Sequence, residues 1–221
     1  MPPDSTLSLY EEVKSRLLTG EFDPGQRLRA ERLRNDHGVS ASTMREILFR
    51  LSAVGLADFQ EQRGFRIPSQ SLERQHDLAQ FRIFLEQQGA RLSIRLGGVA
   101  WEAQLSAAHH KLSHIERVVA GQSADPALLA LWTAAELEFH RTLIGACASE
   151  VLKSTHRLLY DQFRQQLITV DRKFVYLPQN VAQHQAILDA ALAKDEALTC
   201  AQIKEHLSRH LIRPLPQKVV A

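Results

Sequence analysis

From Ser71 to about Arg213 apolar residues recur at steps of three and four almost without interruption, and β-type alternation is scarce. That period is the one an α-helix needs to keep a single face in a core, so most of this chain can fold only as packed helices. The breaks at Gly97-Gly98, Gly121 to Pro126, Ala148-Ser149 and near Pro178 predict helices over about 71–96, 101–120, 126–146, 150–170, 179–193 and 195–212. Apolar residues make up 44% of the 221, enough to bury a substantial core. No apolar run approaches the ~18 residues of a membrane span, and the start MPPDSTLSLY lacks the basic-then-apolar pattern of a secretory signal. A cytoplasmic protein is expected. Cys147 and Cys200 stand far apart with no C-x-x-C spacing, which argues against a disulfide scaffold or a zinc ribbon and suits a reducing compartment.

The first 68 residues follow a different pattern. Leu9, Val13, Leu17 and Leu18 mark a helix that Ser8 is placed to cap and Gly20 to end, and Asp23-Pro24-Gly25 forms a turn. A second helix is expected over about Ala30 to His37, stopped by Gly38. Ser40 then caps a third, whose Met44, Ile47, Leu48, Leu51 and Val54 share one face before Gly55. Two short helices joined by a tight glycine turn make a helix-turn-helix. Leu56 to Glu61 and Phe65 to Pro68, flanking Gln62-Arg63-Gly64, predict a two-stranded wing. Such a unit lays the start of its second helix in the major groove, where Ser42, Thr43 and Arg45 reach bases or phosphates and the wing adds Arg63 and Arg66. Formal net charge is only +2, so binding rests on placed arginines more than on a general basic field.

LYEEVKSRLLTGEFDPGQRLRAERL, GVSASTMREILFRLSAVGL and QRGFRI, in that order, resemble the winged helix-turn-helix of the GntR family of bacterial transcription regulators. The resemblance puts Ser42, Thr43, Arg45 and Gly64 at operator-contacting positions. Ala41 stands where the family usually has arginine, and Glu31 where a basic residue often sits; Arg32 is the neighbouring candidate to compensate.

All of the histidines except His37 fall in the helical region. Glu136 and His140, one turn apart in AAELEFHR, share a stripe with Thr133, Leu137, Leu143, Ile144 and Cys147. His184 falls in line with Ile187, Leu188 and Ala191, and His206 with Ile203, Leu207 and His210. A carboxylate and three imidazoles therefore point from three helices toward one core. One divalent cation would satisfy all four, where burial without a shared partner would be costly. His110 and His114 flank the Leu105, Ala108, Leu112, Ile115 stripe and read as solvated; His210 competes with His206 for the same role, although its place in the last turn next to Arg209 suits a helix end. Arg82, on the stripe of Leu78, Phe81, Leu85 and Gly89, is either a carboxylate grip or an internal partner of Glu86 one turn on.

FRIFLEQQGARL, ELEFHRTLIGAC and QHQAILDAALAKDEALTCAQIKEHL look like the FCD ligand-binding domain attached to one GntR subfamily. The resemblance implies a divalent metal on Glu136, His140, His184 and His206, with Glu136 standing where the pattern has Asp. Three nitrogens and one oxygen suit zinc first, with nickel, manganese or iron as alternatives. The fold expected is mainly α: a winged helix-turn-helix over 1–68 and an all-α effector and metal-binding bundle over 71–213, joined by Pro68-Ser69-Gln70. The function expected is a homodimeric repressor of a double-stranded operator, controlled by a small organic acid bound near the metal and Arg82. A metal-free effector pocket and a metalloenzyme are the alternatives. No base spaced as in H-E-x-x-H supports the enzyme, for which a helix-turn-helix would have no purpose.

Overall fold

A computed structural model describes residues 3–120, 122, 125–171 and 177–211. The chain opens with α1 (Pro3–Leu18), β1 (Arg27–Leu28), α2 (Ala30–His37), α3 (Ala41–Ala53), β2 (Asp58–Gln60) and β3 (Gly64–Arg66). Helices α4 (Leu72–Leu96), α5 (Val99–Val119), α6 (Pro126–Leu143), α7 (Glu150–Asp171), α8 (Leu177–Leu192) and α9 (Glu196–Ser208) follow. The fold is mainly α, as expected, with one small sheet.

Local chemistry explains the boundaries. Ser40 accepts a hydrogen bond from the Thr43 amide and starts α3, while Ser71, Asp125 and Asp195 do the same for α4, α6 and α9. Pro126 occupies the first turn of α6, where its missing N–H costs nothing. Two expectations are corrected. Helix α1 begins at Pro3, so Ser8 lies inside it rather than at its cap. The wing is three-stranded in the order β1-β3-β2, because Arg27 and Leu28 pair with Arg66 and Phe65. The expected ends of the bundle at 212–213 lie outside the described residues.

Two apolar cores form. One gathers Val13, Leu17, Met44, Ile47, Leu48 and Leu51 around the helix-turn-helix; the other gathers Leu105, Leu112, Phe139, Leu143, Ile187 and Ile203 in the bundle. Helix α4 packs on α7 and α9, α5 on α6 and α8, and α8 on α9. Gly89 allows α4 to approach the end of α6, since a Cβ there would lie 2.7 Å from the Ile144 side chain. No described helix is long and apolar enough to cross a membrane.

A polar seam joins the two parts along α7. The side-chain amides of Gln162, Gln165 and Gln166 donate to the carbonyls of Val54 (3.1 Å), Leu56 (2.9 Å) and Ser69 (3.3 Å), and Gln166 Oε1 accepts from the Ser71 amide at 2.9 Å. Lys14 of α1 pairs with Asp161 at 2.5 Å, both side chains largely buried. Gly55, at φ 72°, fits under Gln162 because it has no Cβ.

Candidate metal centre and operator-facing surface

Helix α6 presents Glu136 and His140 one turn apart, α8 presents His184 and α9 presents His206; all four are buried. One ligand atom from each lies within 4.8 Å of the others. Ring centroids of His184 and His206 are 4.5 Å apart, and His140 lies 5.5 Å from His184 and 5.4 Å from His206. The four residues expected as ligands are thus brought together.

The Nδ1 atoms of His140 and His206 are hydrogen-bonded to outer acceptors, whereas that of His184 lies near a carboxylate without hydrogen-bond geometry. His140 Nδ1 lies 2.8 Å from Glu86 Oε2, His184 Nδ1 3.3 Å from Glu116 Oε1, and His206 Nδ1 3.2 Å from Gln183 Oε1. An acceptor at Nδ1 favours the tautomer whose Nε2 carries a free lone pair. The Nε2 atoms of His140 and His184 are buried with no hydrogen-bond partner. Burial pushes the His140 imidazole down to about 4, against the Glu86 carboxylate, which pulls it up. His206 is also pushed well below the usual value by burial and by the other two rings. Neutral rings with unused lone pairs are what a divalent cation requires.

Glu136 is tied differently. Its Oε2 lies 2.9 Å from Arg164 Nη1 and its Oε1 3.8 Å from Arg82 Nη2. Burial would raise its carboxyl, but Arg164 and then Arg82 hold it down at about 2. The donor set of three nitrogens and one ionised oxygen fits a first-row divalent metal. Tetrahedral zinc, with bonds of about 2.0–2.2 Å, needs ligand atoms roughly 3.4 Å apart, so the four side chains must contract to hold it.

Glu86 is the hub of the surroundings. Its carboxylate takes Arg82 Nε at 2.6 Å, His140 Nδ1 at 2.8 Å and His156 Nε2 at 2.9 Å, joining α4, α6 and α7. Burial opposes its ionisation, yet Arg82 and His140 keep its carboxyl well below the usual range. Arg82 therefore makes the internal pair weighed from the sequence. Its guanidinium also lies 4.8 Å from the Tyr160 ring and 5.1 Å from Phe163, and Nη1 has no hydrogen-bond partner. It borders a cavity of about 10 Å³ shared with Glu136, Arg164, Asn180, Arg209 and His210. That volume holds at most one water, so an organic acid would enter only with movement of the surrounding helices. A larger open cleft of about 890 Å³ on the outer side of α6 includes none of the cluster residues.

Spacing did not single out Glu116, His156, Arg164 or Gln183. Their apolar-stripe phase was readable, but their partners sit on other helices. His110 and His114 are exposed, as expected, while His210 is buried beside Phe163 and Arg209 and outside the four-residue cluster.

On the helix-turn-helix, Ser42 and Arg45 are exposed on the first turns of α3, and Thr43 is half-buried with its hydroxyl 2.9 Å from Ser40 Oγ. Arg45 donates to Glu31 at 2.8 Å, so the departure at Glu31 has a visible consequence: it holds the Arg45 side chain. Arg32 is exposed on α2. Arg63 is exposed at the wing turn beside Gly64, whose φ is 75°. Arg66 instead donates to the Gly25 carbonyl at 3.1 Å.

Comparison with known proteins agrees with this architecture. Residues 6–67 match the bacterial regulatory proteins of the gntR family, and residues 77–209 match the FCD domain. An HTH-type transcriptional regulator of Paraburkholderia xenovorans, BphR, is 32% identical over 90% of this chain and 80% of its own length. The HTH-type transcriptional repressor GlaR of Escherichia coli is 28% identical over 96% of this chain and 94% of its own. The structure of E. coli McbR/YncC superposes with a TM-score of 0.78 at 19% identity, covering 94% of this chain and 95% of that one, which is a likeness of fold.

Proposed function

The chain belongs to the GntR family of bacterial regulators with an FCD domain, and from that premise we propose that it is a repressor whose operator affinity is set by a small carboxylate bound beside a divalent metal. It is a DNA-binding transcriptional regulator and not an enzyme. The observation that carries the finer reading is the convergence of His140, His184 and His206, two of them with an acceptor at Nδ1 and two with a buried, unused Nε2.

Glu136, His140, His184 and His206 would hold the metal, zinc first among the candidates. Bound there, a divalent cation would supply positive charge and, on expanding beyond four ligands, a position for a ligand oxygen. Arg82 would grip the carboxylate, because its Nη1 is unused at the edge of the small cavity. Arg164 pairs with Glu136, so it would feel any change in that carboxylate's partners. Arg164 lies on α7, whose glutamines hold the backbone around Val54, Leu56 and Ser69. A shift of α7 would therefore alter the setting of the helix-turn-helix. Ser42, Thr43, Arg45, Arg32, Arg63 and Gly64 would meet the operator, and a homodimer would present two recognition helices to a palindromic site. An effector acts only through a difference in affinity for the two settings.

The test is operator binding by the full-length protein with and without a panel of small organic acids. His140→Ala should keep DNA binding and lose the response; a normal response from that variant removes the metal from the account.

A further inference from the structure

The recognition helix carries an aromatic side chain where polar groups are expected. Phe49 lies on the outer face of α3, one turn beyond Arg45 and two beyond Ser42, and is 46% exposed. The opposite face of α3, with Met44, Ile47, Leu48 and Leu51, is fully buried in the core. Ser42, Arg45, Glu46, Phe49 and Arg50 line one shallow hollow along the outer face. Among the described residues, nothing covers the outer edge of the ring.

The ring is nevertheless held in place. Its centroid lies 4.7 Å from Phe59 of β2 and 4.8 Å from Phe65 of β3, the second contact edge-on. Phe59 and Phe65 are cross-strand partners in the wing, so Phe49 is clamped between helix and sheet. A side chain fixed in this way presents a rigid apolar edge at little further entropic cost on binding.

The floor of the major groove shows hydrogen-bond donors and acceptors and one apolar group, the thymine 5-methyl. We propose that Phe49 is a specificity-determining residue that packs against a thymine methyl in the operator. One helical turn rises about 5.4 Å and successive base pairs about 3.4 Å, which places that thymine one or two steps from the position reached by Arg45. The surroundings favour DNA over a second protein chain as the occupant. Arg45 and Arg50 line the same hollow as the ring, against one carboxylate, Glu46. Phosphates receive such arginines, whereas a protein interface would have to desolvate them.

The test uses a duplex selected from random-sequence DNA by the full-length protein, with each thymine replaced in turn by deoxyuridine, which keeps every hydrogen bond and loses only the methyl. One thymine per half-site should show about fourfold weaker binding, the worth of one buried methyl group. Phe49→Ala should bind the parent duplex more weakly and no longer distinguish thymine from uracil there. Phe49→Gln, similar in length but polar, should behave the same way and serves where the alanine variant folds poorly. No sensitive thymine, or an undiminished fourfold loss in both variants, overturns the proposal. So does a change in sedimentation mass on Phe49→Ala with the methyl dependence intact, which would give this face to a second copy.

Discussion

The centre of the bundle and the outer face of α3 both concentrate charged side chains, yet they follow opposite physical rules. In the bundle Arg82, Glu86, Glu136 and His140 are sealed from water, and Glu86 serves three partners on three helices. On α3 the pair of Arg45 with Glu31 is more than half exposed on both sides. A buried charge with its partner removed is uncompensated, whereas an exposed one is resolvated at once. The interior therefore couples its members tightly, while the exposed face of α3 can lose a single pair at little cost to the fold.

The largest expected consequence is at Glu86. Glu86→Ala strands Arg82, His140 and His156 together and should cost about 3–5 kcal/mol in urea unfolding. A cost below about 1 kcal/mol would mean that water reaches the hub.

Acid should act on the same region. His140 titrates at about 4 and His210, pushed down by burial and by Arg209, at about 3, whereas an unfolded histidine titrates near 6.5. Below pH 6.5 the unfolded chain takes up protons that the folded one refuses, so stability falls as pH falls from about 6.5 toward 4. For the metal-free protein the loss should be on the order of 3 kcal/mol from His140 alone. Glu136, held at about 2, acts in the same direction below its ordinary range. Unfolding midpoints that do not change between pH 7.5 and 5 would show that the rings are already charged or solvated.

A smaller effect is expected at the seam. Gly55→Ala imposes a side chain at φ 72° and brings a Cβ within 2.9 Å of Gln162 Nε2, for a cost of about 1–3 kcal/mol. The same variant should loosen the link between α7 and the helix-turn-helix, visible as a broader distance distribution between spin labels on the two parts. At the bottom of the scale, Arg45→Ala should change stability by less than about 0.5 kcal/mol while weakening operator binding strongly. A large stability loss there would erase the contrast between the two regions.

The two regions also differ in how far they could be read in the sequence. Helical phase put Glu136, His140, His184 and His206 on buried stripes, because burial imposes a period of 3.6 on every residue of a core face, but it did not separate His206 from His210. Capping chemistry marked Ser40, and glycine marked the wing turn at Gly64. The partners of the cluster were harder. Glu86 was visible only as the neighbour of Arg82 one turn away, and Arg164 and Glu116 meet Glu136 and His184 across helices, where no spacing rule applies. The seam was invisible for the same reason: Gln162, Gln165 and Gln166 donate to carbonyls roughly a hundred residues away. Strand β1 escaped because Arg27 and Leu28 are too few to show alternation. Helix α1 starts at Pro3, a residue at home in the first turn of a helix, ahead of the Ser8 expected as its cap.

The buried imidazoles are proposed as a metal site. The most direct test of that proposal is the zinc affinity of the untagged full-length protein, measured by competition with a chromophoric chelator, for the wild type beside His140→Ala and Arg45→Ala. One tight site per chain is expected in the wild type and in Arg45→Ala, and loss of that site in His140→Ala. A wild type that takes up no zinc, or a His140→Ala variant that binds it equally well, would contradict the proposal and leave Glu136 and the three histidines to bind a ligand directly.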